Sequence, residues 1–252
     1  MSTPLLREGE IAPVRVVRPH GRSDIVLVCE HAGMLLPASV GTLGLPDAVL
    51  ASHIGWDIGA LGLSEKLSAR LDAALVMQPY SRLVYDCNRP PEAPSAIPHK
   101  SEIYDIPGNE GLSAQERQER ATAIYAPFHA AVERLLDERQ TAGRASLIVT
   151  VHSFTPIYFG ARRDGELGIL HDADSRLADR LMAAANGLGL SGVRRNYPYS
   201  ASDGVTHTLQ RHGLARGLEN AMLEVRNDLI AAPEGQAVWA KRIQALLEQA
   251  TV

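Results

Sequence analysis

Short apolar runs that alternate with longer segments of helical periodicity constrain this chain most. The runs that predict buried strands are Ile25–Cys29, Ala74–Met77, Leu83–Tyr85 and Leu147–Val151, with weaker candidates at Leu167–Leu170 and Ala221–Val225. The segments that predict helices are Ile58–Leu71, Ala114–Arg139, Ser175–Ala185 and Glu234–Ala250. Strands alternating with helices predict an α/β fold, a three-layer sandwich around a mixed, largely parallel sheet.

Composition excludes several classes of protein. The 252 residues are 45% apolar and 21% charged, which is typical of a globular protein, and no linker divides them, so we expect one domain over residues 1–252. The net charge of -4 argues against nucleic acid as a partner, and no apolar run is long enough for a membrane helix. Two cysteines, Cys29 and Cys87, are too few for a disulfide framework or a four-cysteine zinc site. The N-terminus lacks a secretory signal, so we expect a cytoplasmic protein. A homo-oligomer stays open.

In an open α/β sheet, ligands bind beyond the carboxyl ends of the strands. Polar residues that follow the predicted strands are therefore the candidate site. They are Glu30-His31 after the first strand, Asp86-Cys87-Asn88-Arg89 after Leu83–Tyr85, His152-Ser153 after Leu147–Val151, and Glu224 within the last one. His53 and Asp57 lie just before a predicted helix.

His31 and His152 are candidate metal ligands, because neutral imidazole is the commonest protein ligand for zinc. A catalytic zinc takes three protein ligands, so a carboxylate must complete the set. Asp57 and Glu30 are the nearest candidates in the motifs. The alternative is that these two carboxylates only orient the histidines from outside the ligand set.

Two further groups suit binding and proton transfer. Arg89 offers a planar guanidinium that matches a carboxylate in two parallel hydrogen bonds, and a surface ion pair is the alternative. Arg82 would assist it or serve the structure. Glu224 lies between apolar neighbours, and partial desolvation would raise its pKa toward that of a general base. The alternative is a buried ion pair with Arg226.

The sequence contains no G-x-S-x-G, H-E-x-x-H or P-loop motif. Gly187, Gly189 and Gly192 match G-x-G-x-x-G, but they follow a helix instead of a strand, which is the wrong context for a dinucleotide site.

Five motifs in this order resemble the N-formylglutamate amidohydrolase family, which is distantly related to zinc carboxypeptidases and aspartoacylase-like amidohydrolases. The motifs are CEHAG, HIGWDIGA, SRLVYDCNRP, VHSFTP and LEVRNDLI, and they span residues 29–230. The resemblance implies a phosphorylase/hydrolase-like sandwich that holds one zinc ion.

The resemblance also implies roles for individual residues. His31 and His152 match the two histidine ligands, Asn88 and Arg89 match the pair that holds a substrate carboxylate, and Glu224 matches the glutamate that acts on water. The His-x-x-Glu pattern of carboxypeptidases is broken, because Met34 stands where the glutamate would be. We therefore assign the third ligand to Asp57, with Glu30 as the alternative.

Three hypotheses for function follow. The first is a zinc-dependent hydrolase that converts N-formyl-L-glutamate to formate and L-glutamate in histidine degradation. The second keeps this chemistry but acts on another N-acyl amino acid or a short peptide. The third is a non-catalytic protein that binds an acidic metabolite. All three expect a small partner that carries a carboxylate.

Overall fold

A computed structural model describes residues 4–251. Its strands are β1 Arg15–Val17, β2 Ile25–Cys29, β3 Ala74–Met77, β4 Lys100–Ser101, β5 Tyr104–Asp105, β6 Leu147–Phe154, β7 Ile157–Tyr158, β8 Ala161–Arg162, β9 Leu167–Leu170, β10 Val193–Arg195 and β11 Asn220–Arg226. Its α-helices are α1 Asp47–Leu50, α2 Ala60–Leu71, α3 Ala114–Arg120, α4 Ala126–Thr141, α5 Arg176–Gly187 and α6 Pro233–Ala250.

Seven strands form the central sheet in the order β1-β3-β2-β6-β11-β9-β10. The four strands from β3 to β11 in this order are parallel. β1 pairs antiparallel with β3, β9 pairs antiparallel with β11, and β10 pairs parallel with β9. The mixed, largely parallel sheet expected from the sequence is thereby confirmed. The carboxyl ends of β2, β6 and β11 lie side by side, and this places their polar residues together.

Helices cover both faces of the sheet. α2, α5 and α6 pack their apolar side chains on one face, with Leu67, Leu181 and Ile243 among the fully buried residues. The other face packs against α4 and the turn before it, through Ile124 and Phe128. Each strand of the parallel core is buried on both faces, which is why these strands are continuous apolar runs in the sequence.

Two strand predictions need correction. Leu83–Tyr85 is a buried turn, in which Val84 N–H donates to Ser81 O at 2.9 Å. The carbonyl of Leu83 accepts from the Asn109 amide at 2.8 Å, so a side chain replaces the partner strand. A short apolar run shows only that a segment is buried, and burial is common to both conformations. β6 also continues to Phe154, so His152 lies within the strand instead of beyond it.

Along residues 4–251, none of the helices has the length and apolar character required to cross a bilayer.

Candidate functional site

The site lies at the carboxyl ends of the parallel strands. Glu30 and His31 directly follow β2, His152 is near the end of β6, and Glu224 is near the end of β11. Within the sheet, Glu224 is the register partner of His152. Neighbouring strands therefore carry the second histidine and the candidate base side by side on one face.

Asp57 reaches this edge from the loop before α2. Its backbone N–H donates to His31 O at 3.1 Å, and the Ser153 hydroxyl donates to Ile58 O at 2.9 Å, so the loop is fixed to the ends of β2 and β6. Gly59 follows with a φ of 81°, and a Cβ there would lie 2.1 Å from Ile230 O. A glycine is required for this close left-handed turn.

His31, Asp57 and His152 converge. Asp57 Oδ2 lies 3.3 Å from His31 Nδ1 and 2.8 Å from His152 Nδ1. One ligand atom from each residue lies within 4.8 Å of the others, and all three side chains are buried. Two imidazole nitrogens and a carboxylate oxygen are the donor set of a catalytic divalent metal site.

The outer nitrogens of both imidazoles face other carboxylates. His31 Nε2 lies 2.7 Å from Asp86 Oδ1, and His152 Nε2 lies 3.2 Å from Glu30 Oε2. With hydrogen on each Nε2, the lone pairs of both Nδ1 atoms face Asp57 Oδ2. A proton on each Nδ1 or a metal ion between the three atoms would hold them together, so the residues fit a bound metal.

This geometry separates the two candidate acidic ligands. Asp57 faces the inner nitrogens of both histidines, whereas Glu30 lies behind His152 and is fully buried. Asp86, to which the sequence alone assigned no role, occupies the corresponding position behind His31. The sequence feature that could have identified Asp86 is its position at the start of the run Asp86-Cys87-Asn88-Arg89.

The carboxylates control the charge of the site. Burial alone would lower the pKa of His31, and Arg82 acts in the same direction, but Asp86 and Asp57 outweigh both and raise it. Burial likewise opposes charge on His152, yet Glu30 and Asp57 hold its pKa well above the usual value. Burial opposes ionisation of Asp57 too, but His31 and His152 keep the pKa of its carboxyl below the usual value.

Glu224 differs from these carboxylates. Only 5% of its surface is exposed, and burial is the main cause that raises its pKa to about 7. Its Oε2 has no hydrogen-bond partner among the described residues. Leu223 and Val225 point into the core on the opposite face. Arg226 bonds Asp228 at 2.8 Å, so the ion pair with Glu224 is absent.

All seven residues assigned to a site from the sequence line one cavity of about 310 Å³: His31, Asp57, Arg82, Asn88, Arg89, His152 and Glu224. Arg89 donates to Asn88 O at 2.8 Å, and within residues 4–251 it has no carboxylate partner. Arg82 is already engaged, since it pairs with Asp86 at 2.6 Å and with Asp57 at 3.4 Å.

Asn88 also has its side chain engaged. Its Nδ2 donates to Val205 O, and its Oδ1 accepts from Thr208 N–H at 3.0 Å. The amide therefore holds the Val205–Thr208 segment over the cavity. Of the two arginines that line the cavity, Arg82 is paired with carboxylates and Arg89 has no carboxylate partner within the described chain.

Comparisons with known proteins agree with this architecture. Residues 23–231 match the family model described as N-formylglutamate amidohydrolase. An N-formylglutamate deformylase of Pseudomonas putida is 27% identical over 69% of this chain and 70% of that protein. The crystal structure of gene product Atu2144 from Agrobacterium tumefaciens is 53% identical, with a TM-score of 0.95 over 98% of this chain and 97% of that one. An N-formylglutamate amidohydrolase from Ralstonia eutropha JMP134 shares the fold, with a TM-score of 0.70 and 21% identity over 95% and 97% of the chains.

Proposed function

Because the chain belongs to the N-formylglutamate amidohydrolase family, we propose that it is a metal-dependent amidohydrolase that converts N-formyl-L-glutamate to formate and L-glutamate. This reaction would serve histidine degradation. The observation that carries the proposal is the convergence of His31 Nδ1, His152 Nδ1 and Asp57 Oδ2 in a cavity that also contains Glu224 and Arg89.

His31, Asp57 and His152 would hold one divalent metal ion, and zinc suits two imidazoles and one carboxylate. The ion would supply Lewis acidity for water and for the amide carbonyl. Asp86 and Glu30 would keep the outer nitrogens of the histidines protonated, so that the inner nitrogens stay free for the ion.

Glu224 would be the general base. A carboxyl with a pKa of about 7 is divided between its two protonation states near neutral pH. It would take a proton from the attacking water and give it to the leaving amine nitrogen. Its free Oε2 and its place beside His152 support both transfers.

Arg89 would hold a carboxylate of the substrate. A planar guanidinium makes two parallel hydrogen bonds to a carboxylate, and this orients the amide toward Glu224. Asn88 would contribute by holding the loop at Val205, and Arg82 by fixing Asp57 and Asp86.

The test is formate release from N-formyl-L-glutamate by protein that has been stripped of metal and then reloaded with zinc. We expect turnover only in the reloaded sample, together with about one zinc ion per chain. Zinc binding without turnover of any amide would support the non-catalytic alternative. Equal turnover before and after reloading would contradict a metal-dependent reaction.

One observation favours a second candidate substrate. Glutamate has two carboxylates, but the other basic side chains of the cavity have acidic partners of their own: Lys100 contacts Asp105 at 3.3 Å and His53 contacts Glu102 at 3.0 Å. Another N-acyl amino acid or a short peptide with a single carboxylate would therefore fit the Arg89 side of the cavity. Side-by-side rates on N-formyl-L-glutamate, N-acetyl-L-alanine and the dipeptide glycyl-alanine separate these candidates, because only the first carries two carboxylates.

A further inference from the structure

A tyrosine hydroxyl on the cavity wall donates its hydrogen to no acceptor within residues 4–251. Tyr199 lines the cavity together with His152 and Glu224. Its oxygen accepts a hydrogen bond from Arg163 Nη1 at 3.1 Å. Across residues 4–251 this is the one hydrogen bond that the hydroxyl makes. Because Arg163 occupies a lone pair of the oxygen, the O–H hydrogen is free to donate into the cavity.

Arg163 is held in place by aromatic rings. Its guanidinium carbon lies 4.3 Å from the ring centre of Tyr158 and 4.9 Å from that of Tyr199. Its backbone N–H donates to Pro156 O at 2.8 Å. No carboxylate of the described chain pairs with it. An arginine that stacks on two rings and has no counter-ion makes its main contacts with those rings and with the hydroxyl to which it donates.

The backbone around this contact is also fixed. Gly165 N–H donates to the Tyr197 hydroxyl at 3.2 Å, which joins the segment of Arg163 to the segment of Tyr199 a second time. A Cβ on Gly165 would lie 2.3 Å from the Tyr197 ring, so the two segments are in close contact. The Tyr199 hydroxyl therefore has a defined position.

Burial and the charged side chains around Tyr199 set the pKa of its hydroxyl. Burial is the main cause that raises its pKa, Glu224 raises it further, and Arg163 and Arg82 oppose the rise. Glu224 is the candidate base, and Arg82 contacts the candidate ligand Asp57. Tyr199 therefore shares the cavity with the candidate base, and the raised pKa keeps its hydroxyl protonated at neutral pH.

We propose that Tyr199 donates a hydrogen bond to the oxygen of the scissile amide as negative charge develops on it, and that Arg163 positions this hydroxyl. The proposal rests on the proposed function and adds a catalytic residue to it. A donor fixed in advance in a site shielded from water stabilises the developing charge more than it stabilises the bound substrate. Arg163 strengthens the donor, because a charged group that donates to the phenol oxygen makes its O–H more acidic.

The experiment compares zinc-loaded Tyr199→Phe, Arg163→Met and Arg162→Met with the wild type. Phenylalanine keeps the ring and removes only the hydroxyl. We expect Tyr199→Phe to lower kcat about 100-fold with KM changed less than about 3-fold, as for loss of one such donor. Arg163→Met should lower kcat about 10-fold. Arg162, which pairs with Asp164 on the outer surface, is the matched control, and its variant should keep the wild-type kcat.

Affinity for acetohydroxamate, measured by calorimetry on the zinc-loaded proteins, is a second and independent readout. We expect Tyr199→Phe to bind this probe about 10-fold more weakly, with equal zinc content and an unchanged Tm. Unchanged kcat and unchanged hydroxamate affinity would overturn the proposal, and so would a rise in KM alone, which would place Tyr199 at the substrate carboxylate. If the wild type hydrolyses none of the three amides, the proposed function fails, and hydroxamate binding still decides the role of Tyr199.

Discussion

At the scale of single residues, Glu224 carries the clearest prediction. Glutamine at this position keeps the size of the side chain and removes the proton acceptor. We expect Glu224→Gln to lower kcat by about 10²–10⁴-fold while zinc stays bound, which single-turnover rates and metal analysis would measure. Exposed Glu234, at the start of α6, gives the matched control Glu234→Gln, which should have wild-type kinetics. Loss of zinc instead would show that Glu224 is a ligand.

Arg89 is the residue where charge and geometry can be separated. Lysine keeps the positive charge but cannot make two parallel hydrogen bonds to a carboxylate. We expect Arg89→Lys to raise KM about 10-fold or more, with little change in Tm, because Arg89 has no ion pair to lose within the described chain. Arg15→Lys, on the exposed edge strand, is the control. An unchanged KM for Arg89→Lys would exclude the proposal that Arg89 holds the substrate carboxylate.

Glu30 and Asp86 give a prediction for the carboxylates behind the histidines. Loss of such a partner typically costs 10–100-fold in metal affinity, because it fixes the tautomer and orientation of the ligand. We expect Glu30→Gln and Asp86→Asn each to weaken zinc binding by about that factor in a competition assay with a chromogenic chelator. If Glu30→Gln abolished binding while Asp57→Asn did not, Glu30 would be the third ligand.

At the scale of elements, two π-helical turns bring together a buried histidine pair. Ala121–Tyr125 joins α3 to α4, and Leu209–Gly213 packs against β6 and β11. His129 lies in α4 and His212 in the second turn. His129 Nδ1 lies 2.7 Å from His212 Nε2, and His129 Nε2 donates to Cys87 O at 2.9 Å. Burial is the main cause that lowers the pKa of His129 well below its usual value and that of His212 to about 3, so both rings are neutral at pH 7.

This pair predicts a pH dependence of stability. The unfolded chain binds a proton on His212 at a pKa of about 6.5, whereas the folded chain does not until about pH 3, so lowering the pH below about 6.5 favours unfolding. The cost is about 1.4 kcal/mol per pH unit for this one group. We expect His212→Gln to remove that slope from the free energy of unfolding between pH 6 and 4.5, measured by urea titration.

The control for this prediction is His20→Gln, at an exposed position before β2, which should keep the wild-type slope. A His212→Gln slope equal to that of the wild type would show that His212 already takes up a proton in the folded protein.

At the scale of the whole molecule, metal binding should stabilise the fold. The three candidate ligand residues come from β6 and from two loops, so an ion that binds them would stabilise the folded state over the unfolded one. Free zinc at about 100 times its dissociation constant should add about 2.7 kcal/mol to the free energy of unfolding. Calorimetry should show a higher Tm with zinc for the wild type but not for Asp57→Asn. An equal zinc effect on both proteins would exclude Asp57 as a ligand.

The single domain expected over residues 1–252 stays a prediction at this scale, as does a cytoplasmic location. One cooperative transition in the same calorimetric scans, with equal calorimetric and van't Hoff enthalpies, would support a single folding unit. Two separate transitions would instead indicate that the chain contains two folding units.

Local sequence determined much of the architecture. Ile25–Cys29, Ala74–Met77 and Leu167–Leu170 are strands with the predicted bounds, because a strand buried on both faces must be a continuous apolar run. The fold class and the family were likewise predictable and are confirmed, the family from an ordered set of motifs. The metal and substrate roles of the individual residues stay predictions.

Tertiary structure decided what the local patterns could not. Leu83–Tyr85 is as apolar as a strand, but its carbonyls bond side chains from distant segments, and such partners leave no local signal. Glu30 and Asp57 are equivalent as carboxylates in the sequence, and only the packing of β2 against β6 turns one behind His152 and the other toward both histidines. The sequence by itself determined which residue types were available to the site. The distances between strands, which depend on contacts across the whole sheet, decided which atoms meet in the site, and the packing of two loops beside it joined Arg163 and Tyr199.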